Sequence, residues 1–160
     1  MKHLKIETIL EVYDSLSELP ENIQELMHKA HEARKKAYAP YSHFNVGAAI
    51  LLENDTIVQG NNQENAAFPS GLCAERVAAF YAGASFPNVP FKALAITAGS
   101  TKSINKTPIP PCGACRQSLA EYEVNQKKAI EIFFMGETGK VVKAASIKSV
   151  LPLVFDSSYL

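Results

Sequence analysis

Apolar residues recur along this 160-residue chain at two spacings, about 3.6 and 2, which mark helices and strands in turn. Residues 4–13 alternate loosely and suggest an edge strand. Pro20 and Glu21 suit the first turn of a helix, where proline lacks only an amide that would be unpaired anyway. Ile23, Leu26, Met27, Ala30, Ala33 and Ala37 then hold helical spacing up to Tyr38, and Pro40 stops the run. Phe44 to Leu52 reads as a strand buried on both faces, followed by a tight turn at Glu53-Asn54-Asp55. Thr56 to Gln59 returns as a second strand that ends at Gly60.

Ser70 is placed to cap a helix running to Gly83, a natural stop. Leu72, Ala74, Val77, Ala78, Ala79, Phe80 and Tyr81 cover nearly every side of it. Such a helix belongs inside a domain or at a subunit interface. Phe91 to Ala98 forms a third strand, and a Ser/Thr/Pro-rich loop runs from Gly99 to Pro111. A second buried helix extends from Cys112 to about Tyr122. Ile130 to Met135 and Lys140 to Ala144 supply two more strands, and Ser146 to Leu151 a short closing helix. A leading helix and then the order β-β-α-β-α-β imply a layered α/β sandwich around a mixed sheet.

Composition narrows the function classes. Length favours one domain with one core. Lys+Arg and Asp+Glu are 16 each, so no global field favours nucleic acid or an anionic membrane. Arg34-Lys35-Lys36 reads as a solvated helix tail complementing the dipole. The longest apolar runs are too short to span a bilayer, and residues 1–7 lack the stretch of a signal peptide. Three cysteines, two of them in C-x-x-C, suit a reducing compartment, so a cytoplasmic protein is expected.

Those cysteines carry the chemistry. Cys73 lies in Cys73-Ala74-Glu75-Arg76, and Cys112 and Cys115 in Pro111-Cys112-Gly113-Ala114-Cys115-Arg116. Both segments follow strands and open helices, where unpaired amides favour thiolates and where ligands of such sheets collect. Three thiolates make an incomplete tetrahedron around zinc, and the open fourth position is what a catalytic zinc needs to hold water. Arg76, one turn after Cys73, can offset the excess negative charge, with Arg116 a second candidate. Glu75 diverges from Cys73 on a helix and is placed beside the water, to move protons, and not as a fourth ligand. A structural zinc would instead need one of His3, His28, His31 or His43, or a carboxylate; redox use would leave Cys-Ala-Glu unexplained. His28 and His31 read as solvated helix residues.

C-x-E followed by P-C-x-x-C resembles the zinc deaminases. Cysteine in place of histidine at the first ligand is similar to the small homotetrameric cytidine deaminases. Tyr41-Ser42-His43-Phe44-Asn45-Val46-Gly47-Ala48-Ala49 and Gly60-Asn61-Asn62-Gln63-Glu64-Asn65-Ala66 strengthen the resemblance, which covers about residues 23–155. It implies a three-layer α/β/α sandwich with a mixed five-stranded sheet over residues 21–160, and leaves residues 1–20 as an extension beyond the minimal family chain, with room for an extra N-terminal edge strand. It also implies one zinc per subunit, a homotetramer with shared sites, and hydrolysis of cytidine and 2′-deoxycytidine to the uridines and ammonia. The resemblance assigns pyrimidine stacking to Phe44 and the ribose hydroxyls to Asn62 and Glu64. The Ala74 carbonyl would accept from the base amino group, and Phe155 would close a neighbouring subunit's site. Phe68 stands where many members carry a tyrosine that reaches the sugar. Gln63 replaces an aliphatic residue, Asn45 a proline and Pro110 a serine. Two alternatives remain at this level: a deaminase of another aminopyrimidine nucleoside such as blasticidin S, and a zinc-stabilised binding module without catalysis.

Overall fold

A computed structural model describes residues 1–160. Six strands form one mixed sheet: β1 (Glu11–Tyr13), β2 (Phe44–Leu52), β3 (Ile57–Asn61), β4 (Phe91–Ser100), β5 (Glu131–Met135) and β6 (Val141–Ala144). Their spatial order is β1-β6-β5-β4-β2-β3, with only β4 and β5 parallel. The four α-helices are α1 (Glu21–Arg34), α2 (Ala74–Ser85), α3 (Gly113–Gln126) and α4 (Ile147–Val150). No helix is long and apolar enough to cross a membrane.

The strand periodicity sorts the core into two layers. Ala49 and Leu51 of β2, Ala93 and Ala95 of β4 and Phe133 of β5 pack against Leu26, Met27 and Ala30 of α1. Their neighbours Ala48, Ile50, Leu94, Ile96 and Ile132 face Ala78 and Ala82 of α2, Leu119 of α3 and Ile147 of α4. The expected three layers are therefore present, with one helix on one face and three on the other. The N-terminal edge strand exists but is short: β1 pairs antiparallel with β6, and residues 4–10 lie outside any strand.

Close approach fixes the two helices that flank the β2–β3 hairpin. A Cβ on Gly47 would sit 2.0 Å from the Ala30 carbonyl oxygen on one face. On the other, a Cβ on Gly60 would sit 2.5 Å from the Ala78 amide nitrogen. Here helix backbone rests directly on strand backbone.

Several boundaries differ from the sequence expectation. Helix α1 ends at Arg34, not Tyr38, because Tyr38 turns outward to pair with the segment after β3 through Asn62 and Glu64. Ser70 closes a 3-10 turn over Phe68–Ser70 and does not cap α2; the capping position is Cys73. Gly83 does not stop α2, since its missing side chain makes room for Tyr122. Helix α3 continues to Gln126 and ends on Lys127 in the left-handed conformation (φ 54°), a stop that no glycine announces.

The basic run also splits. Lys35 and Lys36 are exposed, but Arg34 is buried and pairs with Glu137 at 2.8 Å. Burial pulls Glu137 upward, yet the Asn105 amide and the Arg34 guanidinium outweigh it and hold the carboxyl below its usual range. A buried carboxylate, Glu123, accepts from the backbone amides of Ile130 and Ile147, both at 2.8 Å, and of Lys148 at 3.2 Å. It joins α3 to the starts of β5 and α4. Glu123→Ala leaves three amides without their acceptor and should cost about 4 kcal/mol. Urea unfolding measures this; a loss below about 1 kcal/mol would contradict the role.

Candidate active site

The loop after β3 and the loop after β4 bring the three cysteines together. Leu72 is held extended by paired backbone bonds to Gln63, which delivers Cys73 to the start of α2. Arg116 grips the Pro111 carbonyl at 2.7 Å and the Val150 carbonyl at 2.9 Å, which fixes the chain entering α3 at Cys112. Arg116 therefore braces backbone and does not serve the sulfurs. Cys73 and Cys112 occupy the capping positions of α2 and α3, so two helix N-termini converge on one point.

Sulfur spacing provides a test of metal fit. Cys73 Sγ and Cys112 Sγ are 3.8 Å apart, and Cys112 Sγ and Cys115 Sγ 3.5 Å. A tetrahedral zinc with bonds of about 2.3 Å requires sulfurs about 3.8 Å apart. No histidine or carboxylate oxygen joins the three within ligand distance, so the protein supplies three ligands and leaves the fourth position free. Charge favours a cation as well. The thiol of Cys115 hydrogen-bonds Cys73 and, with Arg76, holds it down to about 5; Cys115 itself is pushed far up. One site cannot keep three anionic sulfurs without a cation, and a divalent ion resolves that conflict.

Glu75 and Arg76 line the same cavity as Cys73 and Cys112. Glu75 is only 4 % exposed, and burial raises its carboxyl to about 7. Arg76 reaches Cys73 Sγ through Nη2 at 3.8 Å, while its Nε is buried without a partner.

Above the cluster lies a cavity of about 680 Å³. Its walls include Phe44, Asn62, Glu64, Phe68, Cys73, Glu75 and Cys112, so most of the expected residues share one site. Phe68 is 73 % exposed and meets Tyr41 edge-on at 5.9 Å, forming an apolar lip without a hydroxyl on Phe68. Phe155 stands apart: its ring stacks on Tyr159 and its carbonyl accepts from Gln117 at 2.7 Å. It does not line the cavity of its own chain.

The Ala74 carbonyl is not available to a base, which corrects the sequence expectation. It points along α2 toward Gly60, whose Cβ would lie 2.6 Å from it. Carbonyls at a helix start are committed to the helix, whereas the first amides have no acceptor there. Ala74 itself is fully buried and does not line the cavity.

Sequence reasoning gave no role to Tyr41, Ser42, Ile109 or Pro110, all of which line the cavity. Ser42 had a local signal: a serine two residues before Phe44 can accept that residue's amide, as it does at 3.1 Å. Ile109 and Pro110 sit in an irregular loop with no periodicity to read.

Comparison with known proteins agrees with this geometry. The model of the cytidine and deoxycytidylate deaminase zinc-binding region matches residues 20–130. A cytidine deaminase of Halalkalibacterium halodurans is 37% identical over 132 residues, 82% of this chain and 92% of its own length. One from Sporosarcina psychrophila is 45% identical over 101 residues, 63% and 70% of the two chains. The crystal structure of cytidine deaminase from Burkholderia pseudomallei has a TM-score of 0.72 at 38% identity, covering 82% of this chain and 97% of that one. That of Mycobacterium tuberculosis reaches 0.64 at 30%, covering 84% and 97%. This chain is a zinc-binding hydrolytic deaminase and belongs to the cytidine and deoxycytidylate deaminase family.

Proposed function

We propose that the chain converts cytidine and 2′-deoxycytidine to uridine and 2′-deoxyuridine, consuming water and releasing ammonia. The observation that carries this reading is the buried Glu75 beside three thiolates at tetrahedral spacing, at the base of a cavity holding Phe44, Asn62 and Glu64. Cys73, Cys112 and Cys115 would hold zinc, whose Lewis acidity makes water nucleophilic near neutral pH. Glu75 passes a proton from that water to N3 of the base, and then one to the C4 amino group, which leaves as ammonia. Phe44 stacks on the pyrimidine, and Asn62 and Glu64 bind ribose hydroxyls. Arg76 balances the excess charge of three thiolates.

Cation chemistry at the cavity separates nucleoside from nucleotide. Its only cationic side chain is Arg76, which is directed at Cys73. Nothing else there would neutralise a 5′-phosphate, and Glu64 would repel it. We further infer a homotetramer. Val77, Phe80 and Tyr81 keep apolar surface on the outside of α2, and Phe155, 60 % exposed, is free to reach a neighbour. Residues 21–160 form the deaminase domain, and 1–20 an extension that adds β1.

Ultraviolet absorbance gives the test. Cytidine should be lost in the presence of the protein and not after zinc chelation, while cytidine 5′-monophosphate should react at least about a hundredfold more slowly. Faster turnover of blasticidin S than of cytidine would reassign the substrate. No turnover of either by zinc-loaded protein would leave a binding module.

A further inference from the structure

Glu64 and Asn62 make bonds that recognition of a sugar does not require. Both carboxylate oxygens of Glu64 are engaged by the turn that precedes Phe44. One accepts the Tyr41 amide at 2.9 Å and the Ser42 amide at 3.3 Å; the other accepts the Ser42 hydroxyl. Ser42 Oγ in turn accepts the Phe44 amide at 3.1 Å. The Asn62 side chain takes over on the C-terminal side of Phe44 along the chain, donating to the Phe44 carbonyl at 2.9 Å and accepting from the Val46 amide at 2.8 Å. Phe44 is thus held at its amide and its carbonyl by contacts that trace to Glu64 and Asn62.

The backbone between these anchors is not at rest. His43 is left-handed (φ 56°), which costs a residue with a side chain, and its carbonyl is held by the Thr101 amide at 2.9 Å. Such a turn persists only while its surroundings determine it. Glu64 and Asn62 are themselves fixed from behind, where the backbone of 62–64 pairs with Tyr38.

We propose that Glu64 and Asn62 are positioning residues for the Phe44 ring, in addition to any contact with the ribose. The inference rests on the nucleoside deaminase reading and deepens it: sugar recognition and base stacking are built from the same two side chains. Loss of Glu64 releases Tyr41 and Ser42, lets His43 relax and unseats the aromatic platform.

A double-mutant cycle tests this on zinc-loaded protein with cytidine as substrate. Glu64→Ala should raise KM by a factor at least about threefold larger when Phe44 is present than in a Phe44→Leu background, because a lost ribose contact counts equally in both and only the part that passes through the ring disappears. Glu64→Gln keeps one acceptor oxygen and should recover most of the loss. The same factor in both backgrounds overturns the proposal. Amide hydrogen exchange supplies a readout that needs no turnover: residues 41–46 should exchange about tenfold faster in Glu64→Ala while α2 is unchanged. Unchanged exchange at 41–46 also overturns it. Absence of cytidine turnover in the unaltered protein would sink the function and leave the exchange experiment to decide on the clamp. If Glu64→Ala does not fold, Ser42→Ala breaks the same link while sparing the carboxylate, and the same cycle applies.

Discussion

Glu75→Gln should retain one zinc per chain and lose about a thousandfold or more in turnover. The substitution keeps the size of a side chain that is almost fully buried, so packing is preserved. It also leaves the ion's ligands alone, since no Glu75 oxygen belongs to the sulfur cluster. What it removes is the buried carboxyl proposed to accept a proton and give it back. Glutamine can donate a hydrogen bond to the base but cannot collect a proton from water. Metal analysis, a melting curve and steady-state kinetics together make the test. Unchanged zinc and melting temperature with turnover above about a tenth of normal would remove Glu75 from the proton path.

Cys112→Ala should lose the ion altogether, and with it all turnover and about 10 °C or more of melting temperature. This cysteine isolates the metal better than its neighbour. Cys115 is completely buried, so its replacement also opens a hole in the core. Cys112 is exposed, and its side chain contributes little packing. Any fall in stability therefore reports the lost coordination that ties α2 to α3. Unaltered protein stripped by a chelator should melt at the temperature of the variant. Stoichiometric zinc in purified Cys112→Ala would defeat the ligand assignment.

The layers and most of the site were legible because two periodicities and one spacing carry them. Strand β2 has the expected limits, and both cysteine segments open helices as their amide-rich ends require. Where the reading slipped, a tertiary partner decided. Arg34 looks like part of a solvated tail until Glu137, distant in sequence, is brought beside it. Gly83 looks like a helix stop until Tyr122 is seen to need its space. The Ala74 carbonyl was assigned by resemblance alone, and the direction of a helix turned it away. Tyr41 and Ser42 were visible as a motif, but nothing local says that a turn is wound around a carboxylate from another segment.

Gly47 and Gly60 have a consequence for redesign. Even alanine at either position would overlap helix backbone, which cannot withdraw without lifting α1 or α2 off the sheet. Strand β2 begins at Phe44, and the Asn62–Glu64 segment continues directly from β3, so the residues proposed to set specificity extend from a hairpin that tolerates little substitution. Attempts to widen the range of bases or sugars will find little room in that hairpin. The freedom to vary lies across the cavity, in Phe68 and in Ile109 and Pro110, whose loops carry no such contact.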